Sequence, residues 1–424
     1  MTARFLVYTT PAIGHLYPAT GVALELRRRG HEVFVRTLAS QVDLVRRLGL
    51  EAKPIDEAIE RITMDDWKAK GPLDAVGSAL GTLLARAPLE VADVQRAIDD
   101  VSPDALFVDI NAWGAGTWAE ASGLPWASFA PFPLPLPSRD VPPFGPGLTP
   151  RRGPFGALRD AIVRRVQGRV VRRALPGLNR VRASVGLAPL PRLEAQLVAA
   201  SRVISFTAEP FEYARSDWPA SVRMVGPGLW EPPAEPPDWL AAIDRPLVLV
   251  STSSEYQNDA RLIEAAFAAL AKEDVFVVAT APSVDPAKIR VPANARVERF
   301  VPHGPLLARA AAVVCHGGMG ITQRALAAGV PVCAVPFGRD QHEVARRLEV
   351  SGAGVRLPSS KLSADRIRDA VRCARSKQAG AARIAAAFAK AGGVARATDE
   401  LEDLLRARQA SRLVAPHVVG GTAR

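Results

Sequence analysis

Residues 4–36 read RFLVYTTPAIGHLYPATGVALELRRRGHEVFVR. The run 4–9 is short and apolar, which predicts a buried strand. Residues 11–15 read as loop, and Pro18 falls where a first-turn proline opens a helix. That helix runs to Arg29, Gly30 ends it, and 31–36 is the next strand. Strand, helix, strand in so few residues is the start of a parallel sheet covered by helices. The alternation continues with strand 105–109, helix 113–121 and strand 126–129. It recurs in the second half: strands at 247–251, 275–279, 311–315 and 332–336, and helices at 262–270, 322–328 and 341–350. The fold class is therefore α/β, with two doubly wound, Rossmann-like units facing each other across a cleft. Such sheets bind ligands in the crevice at their strand C-terminal ends, although the fold alone identifies no chemistry.

The 424-residue length suits two domains. A hydrophobic share of 48% with 23% charged residues excludes wholesale disorder. The formal charge of +11 is concentrated, because residues 151–182 hold ten Arg and one Asp. The predicted helix 155–175 places Phe155, Leu158, Ile162, Val166 and Val170 on one face and Arg on the other. The three cysteines show no metal-ligand or CxxC spacing, so neither a zinc site nor a disulfide framework is expected. No signal peptide and no run long enough to span a membrane is read, which fits a reducing, cytoplasmic setting. Residues 131–150 are an irregular Pro-rich loop of the kind that carries function.

The segment 315–325 (CHGGMGITQRA) ends a strand and opens a helix. Its three glycines allow close backbone approach, and a helix N-terminus offers free N–H groups to a diphosphate. His316 adds a ring donor. A tight turn with a structural histidine would leave the same signature. No dinucleotide or Walker pattern is present.

Residues 315–354 (CHGGMGITQRALAAGVPVCAVPFGRDQHEVARRLEVSGAG) resemble the donor-binding region of bacterial UGT-like (family 1) glycosyltransferases, and residues 9–33 resemble their acceptor-domain opening. The resemblance runs in order over about 1–410. It implies the GT-B fold and inverting, metal-free transfer of a sugar from a UDP- or dTDP-sugar to a small acceptor, with no permanently bound cofactor. It implies an acceptor domain over 1–222, a linker over 223–240 and a nucleotide-sugar domain over 241–385. Helices over 386–410 would pack back on the first domain, and a flexible tail would occupy 411–424.

Carried over by residue, the resemblance makes His15 the general base and Asp109 its orienting partner. Phe300 would stack on the nucleobase, with Val301 and His303 beside it. The phosphate loop falls on His316, Gly317, Gly318, Met319, Gly320 and Thr322, with Ser253 and Ser254 in the turn alongside. Asp340 and Gln341 would hold the sugar hydroxyls. The chain departs from the family where a glutamate binds the ribose, because Arg324 stands there and Val344-Ala345 replaces Asn-Ala. Losing that carboxylate favours a dTDP-sugar. A general base is needed because a hydroxyl is a poor nucleophile near neutral pH. A helix dipole would lower the pKa of His15 and Asp109 would raise it, which keeps it near neutrality.

Gly14, Met64, Trp67, Trp113, Phe132 and Phe144 are the expected acceptor contacts, and residues 61–90 with 131–150 would roof the crevice. An apolar lining suits an aromatic or polyketide-like natural product, antibiotic or xenobiotic. O-transfer leads, with C- and N-transfer open, in a monomer or homodimer. The alternatives are a GT-B lipid glycosyltransferase at a membrane surface, motivated by the basic helix 155–173, and a non-catalytic sugar-nucleotide binder. Nucleic acid is not an expected partner, because helix-turn-helix, zinc and aromatic-interleaved signatures are all missing from the sequence.

Overall fold

A computed structural model describes residues 2–255, 257 and 259–414. The first domain is a seven-stranded parallel sheet: β1 (Arg4–Tyr8), β2 (Glu32–Thr37), β3 (Glu51–Pro54), β4 (Ala105–Asp109), β5 (Trp126–Ala130), β6 (Arg202–Ser205) and β7 (Val222–Met224), in the order β3-β2-β1-β4-β5-β6-β7. The second holds β8 (Leu247–Ser251), β9 (Phe276–Thr280), β10 (Ala295–Glu298), β11 (Ala310–Cys315), β12 (Val332–Ala334) and β13 (Gly354–Arg356), in the order β10-β9-β8-β11-β12-β13. Both are doubly wound. The strand order reverses between β1 and β4 in one and between β8 and β11 in the other, which opens a crevice at each switch point. Central strands such as β4 and β8 are buried along their whole length, as parallel strands covered on both faces must be.

The chain crosses between the domains twice, and the two crossings adjoin. The N–H of Gly393 donates to the carbonyl of Val225 at 2.5 Å, and Gly226 (φ +83°) lies against Ala391 and the Phe388 carbonyl. Helix Gly393–Val414 then returns to the first domain, where Ala397, Leu401 and Leu404 join the core of β1, β2 and β4. Its rim is fixed by Arg29, which reaches Asp399 at 2.7 Å and Glu402 at 3.0 Å. This helix continues past the expected end at 410; the remainder of the expected tail, from 415, lies outside the described residues.

Several elements differ from the sequence expectation. The first helix is Ile13–Arg28, so His15 sits in its first turn rather than in a loop, and Pro18 falls inside the helix. The glycine-rich helix likewise begins early, at Met319. Residues 72–101 form one 30-residue helix, Pro72–Val101, where a roof segment was expected.

The helix read at 155–175 is Pro154–Ser184, and its opening turns reverse the expected burial, while Val166 and Val170 are half-buried. Phe155, Leu158 and Ile162 are exposed, whereas Asp160 is buried. The cause is the neighbouring loop 131–150. Prolines carry no N–H, so the loop's carbonyls need outside donors. The helix therefore turns a polar face to it: Arg164 donates to the carbonyls of Ser138 (2.7 Å) and Val141 (3.0 Å), and Gln167 to that of Phe144 (2.8 Å). Among the described residues no helix is long and apolar enough to cross a membrane.

Candidate active site

His15 follows β1 and Asp109 ends β4, so both stand at the first switch point. His15 Nδ1 lies 3.0 and 2.9 Å from Asp109 Oδ1 and Oδ2. The same carboxyl accepts the amides of Thr10 (3.1 Å) and Asn111 (2.9 Å), which fix its plane. A carboxylate only accepts, so the neutral ring carries its hydrogen on Nδ1 and leaves Nε2 bare. Burial is the largest single influence on His15 and lowers its pKa. The charge and hydrogen bond of Asp109, with Glu255 and Asp340, outweigh it, and the pKa stands above 6.5. Glu255 and Asp340 belong to the second domain, so the electrostatics of this histidine span the cleft.

Of the expected acceptor contacts, Phe132 is beside His15, with ring centroids 5.6 Å apart. Gly14 leaves open space: nothing lies within 4 Å of where a Cβ would be. Trp113 is core instead, buried among Leu83, Ala87 and Leu178, because its helix packs tightly on Pro72–Val101. Met64 packs against that cluster, Trp67 lies exposed under Lys68, and the Phe144 carbonyl is held by Gln167.

Beneath these residues Glu90 is fully buried. Its Oε2 accepts the Gly114 amide at 2.8 Å, while its Oε1 has no hydrogen-bond partner among the described residues. Burial pushes it up to about 8. A raised carboxyl binds its proton more tightly in the folded state, so stability falls as pH climbs from 4.5 to about 8. Glu90→Gln keeps the acceptor and removes the titration. Melting curves are expected to show a gain of a few degrees above pH 8 and a flatter profile below it; an unchanged pH profile would refute this account.

The second switch point carries the glycine-rich segment. Gly317 has φ +84°, which favours glycine, and a Cβ on Gly318 would stand 2.2 Å from His316 Nε2. Thr322 N is bonded back to Gly318 O at 3.2 Å, so the amides of Met319, Gly320 and Ile321 lie ahead of the helical ladder. His316 Nδ1 is 3.4 Å from the Ser251 carbonyl, and burial lowers its pKa against the opposing pull of Asp259. Ser253 is buried, its amide on Asp259 (2.7 Å), while Ser254 is exposed. Phe300 offers an exposed ring (54%) next to buried Val301. Burial pushes His303 down to about 4, and its Nε2 lies 3.3 Å from Thr280 Oγ1.

Two expected contacts are used internally. Thr322 is wholly buried, its hydroxyl 3.7 Å from Cys315 Sγ, so it is core. The Gln341 amide is also engaged. Its Oε1 accepts the amides of Phe337 and Gly338 (2.8 and 3.1 Å) and its Nε2 donates to Gln257 (2.5 Å), so it shapes the loop instead of presenting a free amide. Asp340 is the member of the pair within electrostatic reach of His15. Arg324 pairs with Glu231 at 2.9 Å and with the Trp230 carbonyl, and Glu231 also accepts the amides of His303 and Gly304.

The residues that sequence reading missed are those bridging the cleft. Arg339, a non-glycine residue at φ +53°, reaches Asp66 of the first domain (2.9 Å) and Glu255 of the second (2.6 Å). Glu343 accepts the amides of Gly145 (2.9 Å) and Gly147 (2.8 Å) in the Pro-rich loop, and its other oxygen meets Arg347 at 2.8 Å. Arg347 is fully buried, bonded to Glu212 at 2.9 Å and stacked on Tyr213. Helix Gln341–Val350 thus ties the glycine-rich side of the cleft to the loop on the other.

The chain has relatives of known activity. Residues 264–400 match the family model for the C-terminal domain of erythromycin biosynthesis protein CIII-like proteins. The chain is 36% identical to 4'-demethylrebeccamycin synthase of Lentzea aerocolonigenes over 96% of its own length and 100% of that relative. The chain belongs to the natural-product glycosyltransferases of the GT-B fold. Its fold is shared with the calicheamicin glycosyltransferase CalG4 (TM-score 0.74, 23% identity, 98% of this chain and 100% of that one). It is likewise shared with the glycosyltransferase VinC, solved in complex with dTDP (TM-score 0.68, 23% identity, 95% and 99%). The non-catalytic alternative is thereby set aside, since this glycosyltransferase has an enzyme for a relative over 96% of its length, and a lipid glycosyltransferase is not favoured.

Proposed function

We propose that this glycosyltransferase inverts the anomeric centre of a UDP- or dTDP-sugar while transferring the sugar to a hydroxyl of a small hydrophobic acceptor. The observation that carries this reading is the His15–Asp109 pair at one switch point, facing the second domain's Asp340. Nε2 of His15 takes the hydroxyl proton as the oxygen attacks the anomeric carbon; the sugar–phosphate bond breaks, and the nucleoside diphosphate leaves from the opposite side. Charge gained by the leaving diphosphate is met by the amides of Met319, Gly320 and Ile321, aided by the helix N-terminus. A phosphate oxygen near His316 draws a proton onto its ring and converts it to a donor. Ser253 supports the phosphate turn from beneath. Phe300 stacks on the base and Val301 and His303 border it, His303 as a neutral ring.

The acceptor crevice is bounded by Gly14 and Phe132, with Met64, Trp67 and Phe144 further out. The donor is a dTDP-sugar in preference to a UDP-sugar. Glu231 is the carboxylate nearest Arg324, and it is already engaged by that guanidinium and two amides, which leaves it a poor acceptor for a ribose 2′-hydroxyl. Thermal-shift titration with UDP, dTDP and their sugars tests both points. Larger stabilisation by dTDP is expected. A strong preference for UDP would overturn the ribose argument, and no shift with any of them would overturn the donor site.

A further inference from the structure

The reversed opening turns of helix Pro154–Ser184 leave a surface that the cleft does not use. Residues 155, 158, 162, 165, 169 and 172 recur three or four apart and therefore share one face. Its first half is apolar and open to solvent: Phe155 is 86% exposed, Leu158 60% and Ile162 55%. Its second half is Arg165, Arg169 and Arg172, all exposed, and Arg151 and Arg152 precede the helix. Between 151 and 182 the one acidic residue is Asp160, and it is taken by Arg159 at 2.7 Å. The remaining 392 residues sum to only +2, from +11 less +9. Large exposed apolar side chains beside unpaired arginines are costly to maintain without a partner.

We propose that this face docks the enzyme on an anionic lipid bilayer. The apolar trio needs hydrocarbon and the arginines need anions, and a bilayer bearing acidic headgroups supplies both along one helix length, which then lies in the interface plane. A second copy fits poorly: a two-fold contact centred on the apolar trio pairs residue 155 with 162 and brings Arg165 against Arg152, like charge against like. Nucleic acid meets the arginines but leaves Leu158 and Ile162 facing phosphate. The helix is hydrogen-bonded along its inner side to the Pro-rich loop, so docking sets that loop close to the lipid surface. The bilayer is a place of attachment for the enzyme, not its acceptor, and the inference stands apart from the chemistry assigned to the cleft.

The full chain is to be sedimented with vesicles of phosphatidylcholine alone and of phosphatidylcholine mixed with phosphatidylglycerol. Binding is expected to the mixed vesicles only, weakening with salt. The triple variant F155E/L158E/I162E and, separately, R165E/R169E are each expected to lower the bound fraction by about tenfold or more. All five side chains are exposed or at the helix surface, and an unchanged melting temperature verifies that the fold is kept. Absence of binding to the mixed vesicles would overturn the proposal, as would equal binding by either variant. Self-association abolished by the triple variant, with no vesicle binding, would assign the face to a second copy and overturn it too. Capture of an acidic protein through this face, without vesicle binding, would do the same.

Discussion

Replacing His15 with alanine is expected to lower kcat by about 10²–10⁴-fold, the span attributed to a positioned general base. Affinity for the nucleoside diphosphate should change little, because His15 belongs to the first domain and the glycine-rich loop to the second. The pH profile adds a sharper requirement. The base acts only when neutral, so the rate must rise with pH through the His15 pKa, which stands above 6.5. Asp109→Asn removes the charge and strong hydrogen bond that raise this pKa against burial. The acid limb is then expected to move to lower pH while the plateau drops, because the ring loses the partner that holds its tautomer. Steady-state rates across pH decide the matter. An alanine variant with full activity, or an asparagine variant whose limb stays put or moves to higher pH, contradicts the dyad.

The second large effect is structural. Arg347→Ala is expected to cost ~3–5 kcal/mol, the usual result of removing one partner from a buried ion pair. Its guanidinium satisfies Glu212 and Glu343 together, and both carboxylates are buried. Without it the two carboxylates repel each other, with Arg215 at 3.9 Å from Glu212 as the remaining nearby cation. Glu343 also holds the amides of Gly145 and Gly147, and Gly147 (φ +60°) packs against the His342 carbonyl, so the Pro-rich loop loosens along with the pair. Denaturant unfolding should show the loss, and Arg347→Lys should recover part of it by restoring charge without the planar fork. A melting temperature within a degree of the parent protein would mean that the network contributes no net stability.

The contrast between these two sites shows what a sequence exposes. His15 and Asp109 were singled out by the family resemblance, and hydrophobic patterning put them and the glycines at 317, 318 and 320 at strand ends, where the structure brings His15 and Asp109 together. Arg339, Glu343 and Arg347 were not legible. In the segment RDQHEVARR, charges three and four apart read as a solvated helix face, and only the opposing domain shows that this face is buried. Thr322, expected from the phosphate-loop resemblance, and Trp113, expected as apolar crevice lining, go the other way: the strand and helix behind them take their side chains. Helix Pro72–Val101 was obscured by Gly77, Gly81 and Pro88, which argue against a helix locally. Tertiary packing supplies the compensation, since Gly114 of a second helix lets it meet the Ala87 carbonyl.

The paired crossings between the domains carry a mechanical consequence. The outgoing chain at Val225 and the returning chain at Gly393 are stitched together, with left-handed glycines at 226, 392 and 393. Two tethers fastened at one spot forbid sliding and leave rotation, so the seam is a pivot. Opening about it would have to break the Arg339–Asp66 ion pair together with the contacts of Glu343 and Arg347 across the cleft. Any widening of the cleft is then expected as a rotation about this seam, whose backbone is set by three residues without side chains.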